Sequence, residues 1–356
     1  MPAQEIQSKN LNRAHARVIG SGLITRRSIG RQAGFSIIEL MIAVLLGILL
    51  TSGVISVYIE SKRSYSYDDE IARLQENGRY AINTLRNELT QAGYWGGRLE
   101  EIPSVAVGGS PDCVSAGNWA LETEDPVDFI DDFTSSLSTI KGEDISNCLD
   151  NSEIQLNTDI VAVKRTAGRA TLKNGVLASG ITAADTTQWY LKIEDYGFSV
   201  DWVYLDSSGV IPSAEIGADT GVDYWEYYAK VFYIRNFAEV STDGLPTLAV
   251  ESLQGDSMRT DALVRGVENM QIEFGIDTDG DRTPNQYKET PTASDLESVV
   301  SARIYLLLRS EVELPEYSNT KIYTLGSKVL PAKDDGYLRK VYSTTVQMRN
   351  AIPPGA

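Results

Sequence analysis

The chain has 356 residues, of which 42% are hydrophobic and 23% are charged, a composition typical of folded proteins. Its formal net charge of −17 repels phosphate backbones, so direct nucleic-acid binding is not expected. The only histidine is His15 and there are two cysteines. Serine–histidine and cysteine–histidine nucleophiles and histidine-ligated metals are therefore excluded beyond residue 15, and two cysteines are too few for a structural zinc site.

Positive charge is concentrated at the start of the chain. Residues 1–34 carry six Lys and Arg side chains against Glu5 alone, a net of +5, which leaves −22 for the rest. An apolar run of 25 residues, 35–59, follows at once and contains a single charge, Glu39. As a helix it would be about 37 Å long, enough to cross a bilayer. A basic stretch before an apolar run predicts a membrane segment whose basic end stays in the cytoplasm.

Glu39 is costly inside a membrane unless it is paired or lies at the level of the lipid headgroups. The motif Gly34-Phe35-Ser36-Ile37-Ile38-Glu39 resembles the class III signal of type IV prepilins. This resemblance implies that prepilin peptidase removes the leader 1–34 after Gly34 and N-methylates Phe35. The new amine of Phe35 would then pair with Glu39 of a neighbouring subunit. A signal anchor unrelated to pilins is the alternative.

The helix is expected to continue from the apolar segment 35–59 through an amphipathic segment, 60–92, without a proline. Gly93 is a natural residue to end it. Apolar side chains recur there at steps of three and four residues, which predicts a buried stripe. The stripe comprises Ile71, Leu74, Ala81, Ile82, Leu85, Leu89 and Ala92, and the predicted polar face comprises Arg73, Glu76, Arg79, Arg86 and Glu88.

The head, residues 93–356, is predicted to be β-rich, with a loop or insertion over 98–158. Strands without alternating helices favour an antiparallel sheet, so the expected class is α+β, with a long N-terminal helix packed on that sheet. The strand segments are rich in β-branched and aromatic residues. They are Asp159–Arg165, Trp225–Arg235, Met270–Ile276, Val299–Leu308 and Tyr337–Met348.

Four segments together resemble PilW-type minor pilins of the type IV pilus: 73–96, 267–281, 302–311 and 344–350. The resemblance implies a non-enzymatic, low-abundance subunit that joins other minor pilins and the major pilin to prime fibre assembly, and that lies at or near the tip, beside a large adhesin in some systems. It also implies residence in the inner membrane before assembly. A minor pseudopilin of a type II secretion system is the runner-up. A membrane-anchored enzyme with paired carboxylates is the third class.

Cys113 and Cys148 would lie outside the cytoplasm, where a disulfide is expected and two buried thiols are the alternative. The acidic loop, residues 277–285, alternates Asp277, Asp279 and Asp281 around a glycine. With Asn285 these are candidate calcium ligands, although the spacing departs from the EF-hand pattern. A solvated turn between two strands is the alternative.

Overall fold

A single helix, α1 (Ile37–Gln91), dominates the N-terminal part of the computed structural model. The model describes residues 34–98, 102, 113, 119–135, 148–181, 188–197, 199–205, 210–255 and 257–350. The leader before Gly34 lies outside these residues. The observed helix confirms the predicted one to within two residues at each end. Gly93 follows it with φ +73°, the left-handed conformation that glycine adopts without strain.

The chain divides into two compact units, Met1–Ile59 and Glu60–Ala356, and α1 belongs to both. In the second unit fifteen described strands and one short helix follow α1. They are β1 (Val127–Ile130), β2 (Ile160–Thr166), β3 (Leu172–Lys173), β4 (Val176–Leu177), β5 (Gln188–Glu194), β6 (Ser199–Leu205), β7 (Asp223–Arg235), β8 (Thr247–Gln254), β9 (Ser257–Arg265), β10 (Val267–Ile276), β11 (Gln286–Lys288), α2 (Ala293–Leu296), β12 (Val299–Arg309), β13 (Tyr323–Leu325), β14 (Lys328–Leu330) and β15 (Arg339–Gln347).

These strands form two main antiparallel sheets and one hairpin. The larger sheet has nine strands around β7, which pairs with β2, β3, β5 and β8. The smaller sheet has the order β11-β10-β12-β15, and β13 pairs with β14. The α+β class with antiparallel sheets is therefore confirmed, and all five predicted strand segments are strands.

A first core joins the second half of α1 to both sheets. Leu85 and Leu89 of the helix are fully buried and lie in one cluster with Phe129, Phe274 and Ile304. The helical stripe is thus confirmed, although Ile71 and Ile82 are only half-buried. The prediction was wrong for Glu88, which was expected on the polar face of the helix but is buried.

A second core covers the opposite face of the larger sheet. Successive side chains of β2 show this, because they point to opposite faces of the sheet. Val161 and Val163 lie in the first core, while Ile160 and Ala162 lie in the second. All five tryptophans of the chain belong to the second core. Several of its residues come from the segment 98–158, which was predicted to be a loop or an insertion. Within the described part of that segment the four residues of β1 form a strand, and the buried positions around them pack in the second core.

Candidate functional site

The predicted processing site lies at the exposed start of α1. Phe35 is 88% exposed, and a side chain added at Gly34 would meet nothing within 4 Å. Regular helix begins two residues later, at Ile37. The bond between Gly34 and Phe35 therefore lies just before the regular helix, between two exposed residues.

Glu39 is held by the backbone that precedes its own helix. The Ser36 N–H donates to Glu39 Oε2 at 3.1 Å, and the Ile38 N–H donates to Ser36 Oγ at 3.4 Å. Together these bonds form a capping arrangement, in which the first and fourth residues of a Ser-x-x-Glu motif satisfy free N–H groups. The motif is visible in the sequence, but the sequence analysis did not use it. Glu39 thus has a hydrogen-bond partner within its own chain.

The rest of the first unit presents apolar side chains to its surroundings. Every residue from 34 to 59 is exposed. The hydroxyl groups of Thr51 and Ser56 donate to the carbonyls of Gly47 and Ser52 within the helix. Internal bonding of this kind suits an apolar medium, where no water is available. Within the described residues α1 is the one helix long and apolar enough to cross a membrane, which is compatible with a single-pass anchor.

In the second unit, a buried ion cluster ties α1 to the larger sheet. Glu88 accepts from Arg165 Nε of β2 and from Lys230 Nζ of β7, each at 2.6 Å. Burial opposes ionisation of Glu88, but the hydrogen bonds and charges of the two cations outweigh it and lower its pKa. Arg165 and Lys230 also lie 4.7 and 5.0 Å from the ring of Tyr228. The cluster fixes the helix by charge as well as by packing.

The two cysteines form the expected disulfide, Cys113–Cys148, which closes a segment with a sequence separation of 35. Both residues pack in the second core, Cys113 fully buried and Cys148 at its margin. The disulfide therefore joins the two ends of the segment around β1 within the second core, on the face of the larger sheet that this core covers.

The acidic loop brings its three carboxylates together. One oxygen from each of Asp277, Asp279 and Asp281 lies within 4.8 Å of the others. Asp277 is already engaged, because it accepts from the N–H groups of Asp279, Gly280 and Arg282 at 2.7 to 3.1 Å. Burial opposes its ionisation, but these three donors outweigh it and lower its pKa.

Asn285 lies at the same loop but points its oxygen at Thr278, whose N–H donates at 2.6 Å, while its amide donates to Asp279 Oδ2 at 3.2 Å. The loop is thus organised by its own hydrogen bonds, and calcium binding there stays a prediction.

A second acidic cluster, which the sequence analysis missed, lies where β1 and β2 meet β10. Asp131, Asp132 and Asp159 bring oxygens within 4.8 Å of one another. Burial raises the pKa of Asp159 well above its ordinary range, and the two neighbouring carboxylates add to this, while the N–H groups of Asp132 and Ile272 oppose it. Lys328 bonds to Asp132 and supplies the local positive charge. Asp131 and Asp132 are adjacent, but Asp159 lies 27 residues after Asp132, so no motif could have revealed the cluster.

The part of the chain from the end of β7 through β15 matches a known family by sequence. Residues 231–350 match the family model of type IV pilus-assembly protein W. The match confirms the PilW resemblance for the segments 267–281, 302–311 and 344–350, which lie inside it. It supports a type IV pilus component that interacts with other pilins.

Other comparisons add less. A search of curated proteins returned no match. Among solved structures, a type IV-like pilin from Thermus thermophilus is similar, with 12% identity, 79% of this chain and 97% of that chain covered, and a TM-score of 0.34. Similarity at this level does not establish a shared fold.

Proposed function

We propose that this chain is a non-enzymatic minor pilin that primes assembly of a type IV pilus and lies at or near its tip. The match of residues 231–350 to the PilW family is the observation that carries the proposal. The exposed apolar half of α1 supports it, because such a surface requires a membrane or other helices around it. In this proposal the inner membrane surrounds the segment first, and neighbouring pilins replace the lipid when the fibre grows.

Processing would occur at the open bond after Gly34. Prepilin peptidase would cut there and methylate the amine of Phe35. Glu39 would then be the fifth residue of the mature chain. During docking, Glu39 would exchange its bond to the Ser36 N–H for the amine of a neighbouring subunit. The amine carries a full positive charge and the Ser36 N–H does not, so the new bond adds the attraction between two opposite charges, which is strong in a medium of low dielectric constant and favours the exchange.

A deletion strain tests the function. Sheared surface fibres are quantified by their major pilin while type II secretion is assayed in parallel. Loss of fibres with normal secretion, restored by the wild-type gene, is expected. Normal fibres with blocked secretion would instead identify a pseudopilin.

Two variants in the same strain test the docking chemistry. Gly34→Leu should leave the full-length precursor in the membrane, whereas mature protein beginning at Phe35 would contradict the proposed cut. Glu39→Gln should be cut normally but fail to enter fibres, and Glu60→Gln, on an exposed part of the same helix, is its matched control. Equal incorporation of both would show that Glu39 has no role in docking.

We also propose that calcium binds Asp277, Asp279 and Asp281, with Asn285 or backbone carbonyls completing the shell. Calcium is expected to release heat when titrated into the full chain in detergent, and Asp279→Asn should abolish that heat. Asp219→Asn, at an exposed acidic residue of another loop, should not change it. Equal heats for the two variants, or no heat for the wild type, would contradict calcium binding at this loop and would identify it as a solvated turn.

A further inference from the structure

Strand β15 is an edge of the smaller sheet, and its sequence lacks the usual protection of an edge. Within the described residues it pairs with β12 alone. Natural edge strands carry charges, prolines or bulges that prevent another strand from pairing with them. The other nine-residue edge strand, β9, follows this rule with Arg259, Asp261 and Arg265. In β15 the charges stop at Lys340, and residues 341–347 (VYSTTVQ) carry none.

The hydrogen bonds at both ends of β15 show which of its main-chain N–H and C=O groups face β12. The Met348 N–H donates to the Val300 carbonyl, and the Ser310 N–H donates to the Leu338 carbonyl, each at 2.8 Å. Between these two bonds each residue of β15 lies opposite one residue of β12, from Ser301↔Gln347 to Arg309↔Arg339, with no shift in register. Because hydrogen-bonded pairs alternate along an antiparallel ladder, the even-numbered residues of β15 bond to β12.

The odd-numbered residues therefore turn their main-chain groups away from the sheet. The N–H and C=O groups of Val341, Ser343, Thr345 and Gln347 point to the open edge, and they span about 20 Å at 3.4 Å per residue. The side chains of the last three residues are exposed. A regular row of donors and acceptors matches one kind of ligand, the main chain of another extended segment.

We infer that the edge of β15 binds an extended strand of a neighbouring subunit of the same fibre. The inference rests on the proposed function for the identity of that partner. A second copy of this chain fits less well. Subunits of one fibre share one direction, so two copies of β15 would lie parallel, and in-register pairing would place the exposed Lys340 beside its counterpart. A different subunit avoids this repulsion.

A photoreactive residue at Gln347 tests the pairing in cells that make fibres. We expect a crosslinked product that contains a second protein with a prepilin-type N-terminus. Ser343→Pro should reduce its yield about tenfold, because proline removes an outward N–H and adds bulk at the edge. Ser343→Ala keeps that N–H and should leave the yield unchanged. Thr344→Pro, which removes an N–H that faces β12, shows the effect of disrupting the sheet itself.

A second pair of variants does not depend on proline. Thr345→Lys places a charge at the edge and should lower the yield, whereas Thr345→Ser should not. A yield of crosslinked product that changes in neither Ser343→Pro nor Thr345→Lys would overturn the inference. A product made of two copies of this chain would also overturn it.

The outcome separates the pairing from the proposed function. A crosslink to a pseudopilin that is lost in Ser343→Pro, in cells whose deletion strain makes normal fibres, would support the edge pairing and overturn the pilus assignment. Loss of fibres in the deletion strain, without any crosslink sensitive to Ser343→Pro, would support the pilus assignment and overturn the pairing.

Discussion

The two halves of α1 are continuous in the chain but bury their side chains in opposite ways. From 37 to 59 all positions are exposed, including Leu49 at 62%. From Glu70 onward every third or fourth residue is buried, and Leu85 and Leu89 have no exposed surface. The first half therefore contributes no residue to the described cores, while the second half is part of the first core. Substitutions in the two halves should have separable effects on stability and on assembly.

The largest expected difference comes from a leucine in each half. Leu85→Ala leaves a cavity between α1 and both sheets and should lower the free energy of unfolding by about 4 kcal/mol. Leu49→Ala removes an exposed side chain and should change it by less than about 0.5 kcal/mol. Urea unfolding of the full chain in detergent, followed by circular dichroism, measures both. Equal losses would show that the first half also stabilises the head.

Glu88 should give a smaller and pH-dependent effect. Glu88→Gln leaves Arg165 and Lys230 without their anion and should cost about 3 kcal/mol at pH 7. Because the pKa of Glu88 is lowered in the folded protein from 4.5, its stabilisation is complete above that value and is lost as the pH falls through the folded pKa.

The difference in melting temperature between wild type and Glu88→Gln should therefore shrink on acidification. Glu76→Gln, on the exposed face of the same helix, is the control and should match the wild type at every pH. A difference that stays constant down to strongly acidic pH would refute the role of the ion cluster.

Glycines in the two halves sharpen the comparison further. A Cβ at Gly78 would lie 2.3 Å from the ring of Tyr342, whose hydroxyl donates to the Leu74 carbonyl at 3.0 Å. Gly78→Ala should therefore cost about 2 kcal/mol through overpacking, despite the better helix propensity of alanine. At Gly53 an added Cβ meets nothing within 4 Å, so Gly53→Ala should not destabilise the protein.

Thermal melting of both glycine variants tests this prediction. Removing the ring in Gly78→Ala/Tyr342→Ala should make the two costs non-additive, because the residues are in contact. Additive costs would mean that the ring of Tyr342 moves aside freely.

The sequence predicted those features whose signal is local. Apolar residues at steps of three and four identified the second half of α1, and runs such as VVSARIYLLL identified β12, because burial imposes a pattern on neighbouring residues. Burial of Glu88 could not be predicted, since its partners lie 77 and 142 residues away and a lone glutamate usually indicates a surface. Strand β1 was missed because glycine, serine and aspartate dominate the chain around it.

The candidate sites divide in the same way. The cleavage motif, Glu39 and the acidic loop are short, contiguous patterns and could be named residue by residue. The open edge of β15 could not, because a strand's sequence does not reveal how many neighbours it has. That number depends on sheet order, which is set by distant segments.

The tryptophan distribution determines what an optical experiment on this protein can detect. With all five indoles in the second core and none in the first, intrinsic fluorescence reports on the outer face of the larger sheet. Reduction of Cys113–Cys148 should shift the emission, since Trp119 and the disulfide share that core. Release of α1 from the first core would leave the emission spectrum nearly unchanged, so fluorescence can separate two kinds of opening that a single melting curve would merge.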